Sequence, residues 1–191
     1  MSAILQNIQI QGKERSQAGF QTLLQVCGAS LFMVLCSQIR IDLSFTPVPL
    51  TLQTLAVLLI GANLGSRNGA LAILLYLAQI LVGLPVLSGG ISDPFVMMGP
   101  KGGFILGWCL QAWLMGWAVE NITYSRAMAL FAGGVIACTV QMALGLIVLA
   151  QFVGWSAVWV MGLFPFLPGE ILKILIVCQC RKMSVPRNFV L

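Results

Sequence analysis

Histidine is absent from this 191-residue chain, and charge is scarce: ten Lys and Arg with five Asp and Glu, 8% of the residues. The first absence removes the commonest metal ligand and general base. The second excludes a soluble globular domain, which carries roughly 25% charged residues. A phosphate-binding GxxxxGK[ST] loop occurs nowhere, so no nucleotide site is expected. The six cysteines fall mostly in apolar stretches, where they behave as small hydrophobes rather than a disulfide framework. Cys178-Gln179-Cys180 is not a zinc spacing, and no second ligand pair accompanies it. No metal and no cofactor are expected.

What is present is apolar: 59% of the residues are hydrophobic and the mean hydropathy is +0.98. A membrane span takes ~20 apolar residues, so the length accommodates six spans with short loops and no room for an ATPase or catalytic domain. The expected fold is an all-α integral membrane protein, one membrane domain over residues 1–191. Apolar runs and their breakers set spans at roughly 20–39, 50–64, 69–84, 102–119, 127–153 and 161–180. The second and third are joined by Gly65-Ser66-Arg67-Asn68, a tight hairpin. Residues 1–19 are polar, with Ile4, Ile8 and Ile10 hinting at a short helix along the membrane surface, and 181–191 form a basic tail. The run from Phe20 to Ile39 is too long for a cleavable signal.

The net charge of +5 invites a nucleic-acid reading, but the basic residues are scattered and are better explained by orientation in the bilayer. With the N-terminus inside, the inner segments hold Lys13, Arg15, Arg67, Arg126, Arg181, Lys182 and Arg187, against Arg40 and Lys101 outside. Both termini are therefore expected in the cytoplasm. The irregular segments 39–49, 85–101 and 154–169 then all fall on the outer side. Irregular backbone at membrane depth survives only when buried or lining a cavity, so an outward-facing pocket is expected.

Glu170 and Lys173 are the charges well inside an apolar span. Ionisable groups there cost at least ~2.5–3.5 kcal/mol each and tend to face a bundle interior or cavity. At i and i+3 they share a helix face and can neutralise each other. Two readings stand: a structural ion pair, or the polar floor of a ligand site. Phe45-Thr46-Pro47-Val48-Pro49 is stiff, either a span connection or a preformed lid. Thr51 and Gln53 can reach a ligand or cap the helix that follows. Ser88-Gly89-Gly90 and Gly99-Pro100-Lys101-Gly102-Gly103 place glycines where backbone turns or approaches something closely. Asp93 and Lys101 in this outer loop are expected to be solvated. Trp108, Trp113, Trp117, Trp155 and Trp159 are expected at the membrane interface, although Trp155 or Trp159 can instead wall a pocket.

Together these pieces resemble the BioY family, the biotin-specific S components of energy-coupling factor (ECF) vitamin transporters. The resemblance runs through Phe45-Thr46-Pro47-Val48-Pro49-Leu50-Thr51-Leu52-Gln53-Thr54, then Gly83-Leu84-Pro85-Val86 and Gly89-Gly90. It continues at Gly99-Pro100-Lys101-Gly102-Gly103-Phe104 and closes at Leu167-Pro168-Gly169-Glu170-Ile171-Leu172-Lys173. It implies six transmembrane helices, high-affinity binding of biotin near the extracellular side, and partnership with a transmembrane coupling subunit and ATPases. Glu170, Lys173, Thr46, Pro47, Gln53, Ser88, Gly89, Gly90 and Gly99 are the candidate ligand-binding residues. The chain departs from the family in Glu170, usually Asp, and in Lys101, usually Thr, which is not carried over as a site. The first helix offers Gly28, Ala29, Ser30 and Cys36 where S components tend to show alanines four apart. Independently of the family, biotin's ureido N–H groups suit Glu170 and its ureido oxygen suits Lys173, with the valerate carboxylate toward the mouth. An S component for another vitamin is the nearest alternative; an intramembrane enzyme and a purely structural protein are remoter ones.

Overall fold

The structure, a computed structural model, describes residues 2–180, with side chains for residue 17 and from residue 19 onward. The basic tail and the side chains of Ile4, Ile8 and Ile10 lie outside the described residues. Helix α1 runs Ser2–Ser37, so the polar stretch ahead of Phe20 is continuous with the first span rather than a separate surface helix. The chain then forms a two-residue ribbon, β1 (Arg40–Ile41) antiparallel to β2 (Leu50–Thr51), with Arg40 opposite Thr51. Pro47 and Pro49 lack the N–H a ladder needs, which keeps the ribbon short.

Helix α2 (Gln53–Leu81) is broken at Gly65, whose φ of 79° and ψ of −179° no L-residue adopts easily. Were it straight, residues 53 and 76 would stand ~34 Å apart at 1.5 Å per residue. Instead Gln53 Nε2 lies 2.8 Å from Tyr76 Oη. The arms 53–64 and 66–81 therefore fold back on each other, with Gly69 facing the Cα of Gly61. The reversal occupies Gly65 alone; Ser66, Arg67 and Asn68, expected as loop, are already helical. Glu120 secures it: its carboxylate accepts from Ser66 N–H and Ser66 Oγ, both at 2.7 Å. An anion at a helix start meets unpaired amides and the positive end of the dipole.

Next come a 3₁₀ turn (Val96–Met98), α3 (Gly102–Asn121), α4 (Arg126–Val153), a π-helical turn (Trp159–Leu163) and α5 (Leu167–Gln179). Among the described residues five helices, not six, are long and apolar enough to cross a membrane; the second of them is the folded-back α2. Helix α2 packs on α1, α3 and α5, and α4 on α3 and α5. Small residues permit the closest approaches: the backbone of Gly61 meets Ala112, and that of Gly116 meets Gly65 and Ser66. The outside is apolar, with Phe20, Leu23, Leu31, Leu35, Phe131 and Leu172 exposed, as a surface facing lipid requires.

Candidate functional site

The ribbon 40–51 and the segment 82–101 meet at one end of the bundle, over the first turns of α2 and α3. A buried hydrogen bond fastens the second segment: Tyr76 Oη donates to the carbonyl of Val86 at 2.7 Å, and Ser37 Oγ, which shares its one hydrogen with the carbonyl of Val34, lies 3.0 Å from the same oxygen. The third irregular segment reaches the same end, where Phe166 stacks on Phe104 with centroids 6.2 Å apart and shares a core cluster with Val48. Beneath these segments lies a cavity of about 90 Å3. Val48, Pro49, Leu87, Val96, Phe104 and Ile105 give it apolar walls, and Thr51, Gln53, Ser88, Asp93, Lys101 and Trp108 supply its polar groups.

One residue on from cavity-lining Gln53, Thr54 leads to a buried ion pair. Lys173 Nζ lies 2.7 Å from Glu170 Oε1, and the two residues are 8% and 6% exposed. Thr54, adjacent to cavity-lining Gln53, bridges them: its hydroxyl accepts from Lys173 Nζ at 2.5 Å and donates to Glu170 Oε1 at 2.9 Å. Among the described residues Glu170 Oε2 receives only the thiol of Cys138, at 3.4 Å. Cys138 is thus a polar contributor, not merely a small hydrophobe. The cluster ties α2, α4 and α5 together. Pro168 in the first turn of α5 suits a position where no N–H partner is needed.

The cluster retains unused hydrogen-bonding capacity. An ammonium has three donors, of which Lys173 uses two, and Oε2 has only a weak S–H donor. Among the described residues, the indole Nε1 of cavity-lining Trp108 and the Oε1 atoms of Gln111, one turn further along α3, and of Gln141 on α4 are buried without a partner. Buried polar groups are rarely left so, and the indole N–H of Trp108 in the cavity wall suits a polar occupant. Trp108 also packs on Tyr76, with ring centroids 6.1 Å apart.

The candidate residues thus divide. Gln53 and Ser88 line the cavity; Glu170 and Lys173 are buried without lining it. Thr46, Pro47, Gly89, Gly90 and Gly99 shape the covering segments without lining it. Thr46 Oγ1 accepts from Val48 N–H at 3.3 Å, and Gly89 and Gly90 turn the chain at φ of 79° and 70°. Thr51 and Gln53 do not cap α2, whose N-cap is Leu52 without a side-chain bond. Two expectations are corrected. Asp93 and Lys101 are half-buried in the cavity wall rather than solvated. Trp155 and Trp159 are 60% and 49% exposed, and the tryptophan that walls the cavity is Trp108, at 5%. Of the small residues on α1, Ser30 is fully buried against the bundle and Gly28 is exposed.

The profile of the BioY family matches residues 11–185. The biotin transporter BioY of Rhizobium etli is 35% identical over 148 residues, 71% of this chain and 77% of that protein. The biotin transporter BioY2 of Lactococcus lactis subsp. cremoris is 36% identical over 160 residues, 83% of this chain and 86% of that protein. A crystal structure of the S-component for biotin from an ECF-type ABC transporter superposes with a TM-score of 0.75 at 25% identity, covering 88% of this chain and 95% of that one. A profile spanning nearly the whole sequence, two relatives above 30% identity and a shared fold agree: the chain belongs to the BioY family.

Proposed function

We propose that this protein is the subunit that captures biotin for uptake across the cytoplasmic membrane of a prokaryote. The observation that carries the proposal is the apolar cavity together with a buried acid–base pair that keeps acceptor capacity at Glu170 Oε2, beside a weak thiol donor, and one donor hydrogen on Lys173. Biotin's ureido ring offers an N–H to Glu170 Oε2 and a carbonyl to Lys173 Nζ, and its thioether ring suits the apolar wall. The pair stays neutral overall, as a buried site in a bilayer demands. Small-molecule sites usually run to ~300–1,000 Å3, so a whole biotin needs the two covering segments to part. Energy then comes from an ECF coupling subunit and ATPases, a reading supported by the structural relative's being the S-component for biotin from an ECF-type ABC transporter. Cells expressing the chain with such a module should accumulate labelled biotin, competed by excess biotin but not by thiamin or riboflavin. Competition by another vitamin alone would reassign the substrate.

The proposed topology has six crossings, with each arm of α2 counted separately and both termini cytoplasmic. The Gly65 bend, with Arg67 beside it, and Arg126 at the start of α4 lie at the end opposite the cavity, which supports placing the cavity outside. A reporter fused after Leu191 should read as cytoplasmic; an external reading would overturn this orientation.

A further inference from the structure

Along one face of α3 the side chains change character in a fixed order. Lys101 stands at the N-terminal boundary, Phe104 and Ile105 follow a turn later, and Trp108 two turns on; all four line the cavity. One turn deeper, Gln111 Nε2 reaches Cys138 Sγ at 3.4 Å, and Cys138 in turn reaches Glu170. Seven residues of helix separate Lys101 from Trp108 by ~10 Å. The wall therefore starts at a cation, Lys101, with Asp93 also in it, turns apolar, and leads one turn beyond Trp108 to hydrogen-bonding groups that do not line it.

That cation is uncommitted. Arg40, the other basic residue near the mouth, is held by Asp42 at 3.3 Å and by the carbonyl of Ser88 at 2.9 Å. Asp93, the acidic residue in the wall, accepts from Phe95 N–H at 3.0 Å. Among the described residues Lys101 makes no ion pair and no side-chain hydrogen bond, although it is half-buried in the wall. A half-desolvated ammonium beside apolar walls favours an anionic partner, and the positive end of α3 adds to that preference.

We propose that Lys101 pairs with the carboxylate of the bound ligand and makes this chain selective for the anion over neutral carboxyl derivatives. The proposal rests on the biotin reading above: biotin presents carboxylate, aliphatic tail, thioether ring and ureido group in the same order as Lys101, the apolar wall and the hydrogen-bonding groups beyond Trp108. Lys101 is thus a specificity residue at the opposite end of the ligand from Glu170 and Lys173.

The test compares biotin with biotinamide, its neutral carboxamide, as competitors on the purified full chain in lipid nanodiscs. Wild-type protein should prefer biotin by about tenfold, equivalent to ~1.4 kcal/mol. Lys101→Gln should bring the two ligands within about threefold of each other, by weakening biotin alone, and Lys101→Arg should keep the preference. A Lys101→Gln protein that retains the full preference, or that weakens both ligands equally, overturns the proposal. So does wild-type protein that binds both equally well, a result that needs no variant. Wild-type protein that binds neither overturns the biotin reading itself, and the two failures are thereby told apart.

Discussion

Lys173→Ala should weaken biotin binding by about one to two orders of magnitude, since the ureido oxygen loses a hydrogen bond from a charged donor, worth ~1.5–3 kcal/mol, and ~1.4 kcal/mol is tenfold. Glu170 and Lys173 are nearly excluded from solvent, and Thr54 is the other oxygen partner of the ammonium. Without the ammonium, the carboxylate keeps a hydroxyl and a thiol and loses its counter-charge. Glu170→Gln should be comparably severe, because a neutral amide leaves Lys173 as an uncompensated cation. Glu170→Asp should be mild: the carboxylate retreats by one methylene, and the flexible Lys173 stem can follow. A purely structural ion pair makes a different forecast. In that case the variants lose folding or expression, and whatever folds binds biotin normally. Affinity measured on monodisperse variant protein separates the two, and wild-type affinity in folded Lys173→Ala would leave the pair as scaffold.

The second large effect concerns the hairpin that brings Gln53 and Thr54 to the site. Gly61→Val should abolish most folded protein. A Cβ at residue 61 would run into the carbonyl oxygen of Ala112 and stand 3.0 Å from the Cβ of Met115. Both are anchored to α3, and backbone cannot yield as a side-chain tip does. Overpacking of this kind costs ~3 kcal/mol or more when no side chain can give way. Gly19→Val is the matched control: a Cβ there meets nothing within 4 Å, and the change should stay within ~0.5 kcal/mol. The monodisperse fraction and thermal midpoint of the two variants provide the comparison. Equal behaviour would mean that the arms of α2 do not pack against α3 as described.

Much of the fold is legible in the sequence, because the bilayer imposes one strong rule on it. Uninterrupted apolar runs placed spans at 102–119 and 127–153, against helices Gly102–Asn121 and Arg126–Val153. Gly65 announced the reversal in α2, but Ser66 and Asn68 also read as loop; only the distant Glu120 makes Ser66 a helix start. The cavity was less legible. Proline and glycine mark where backbone bends, and a bend sets neighbouring side chains inward. Thr46, Pro47, Gly89 and Gly90 thus stand out in the sequence beside Ser88, whereas Val48, Pro49 and, of those five, Ser88 alone face the space. Lys101 reads as solvated because a lysine beside glycine and proline usually is. Trp108 resembles Trp113 and Trp117 in composition. They follow it by five and nine residues, which turns them at 100° per residue to the far side of α3, where they are 41% and 43% exposed. Periodicity alone separates these faces without saying which one meets lipid.

The central claim is that the isolated chain holds biotin in the cavity and against Glu170 and Lys173. Equilibrium titration of labelled biotin onto purified full-length protein, with no nucleotide and no coupling subunits, tests it most directly. The account predicts saturable binding of one biotin per chain, displaced by unlabelled biotin. Binding that appears only when nucleotide is added to the isolated chain, or no saturable binding at all, would contradict it.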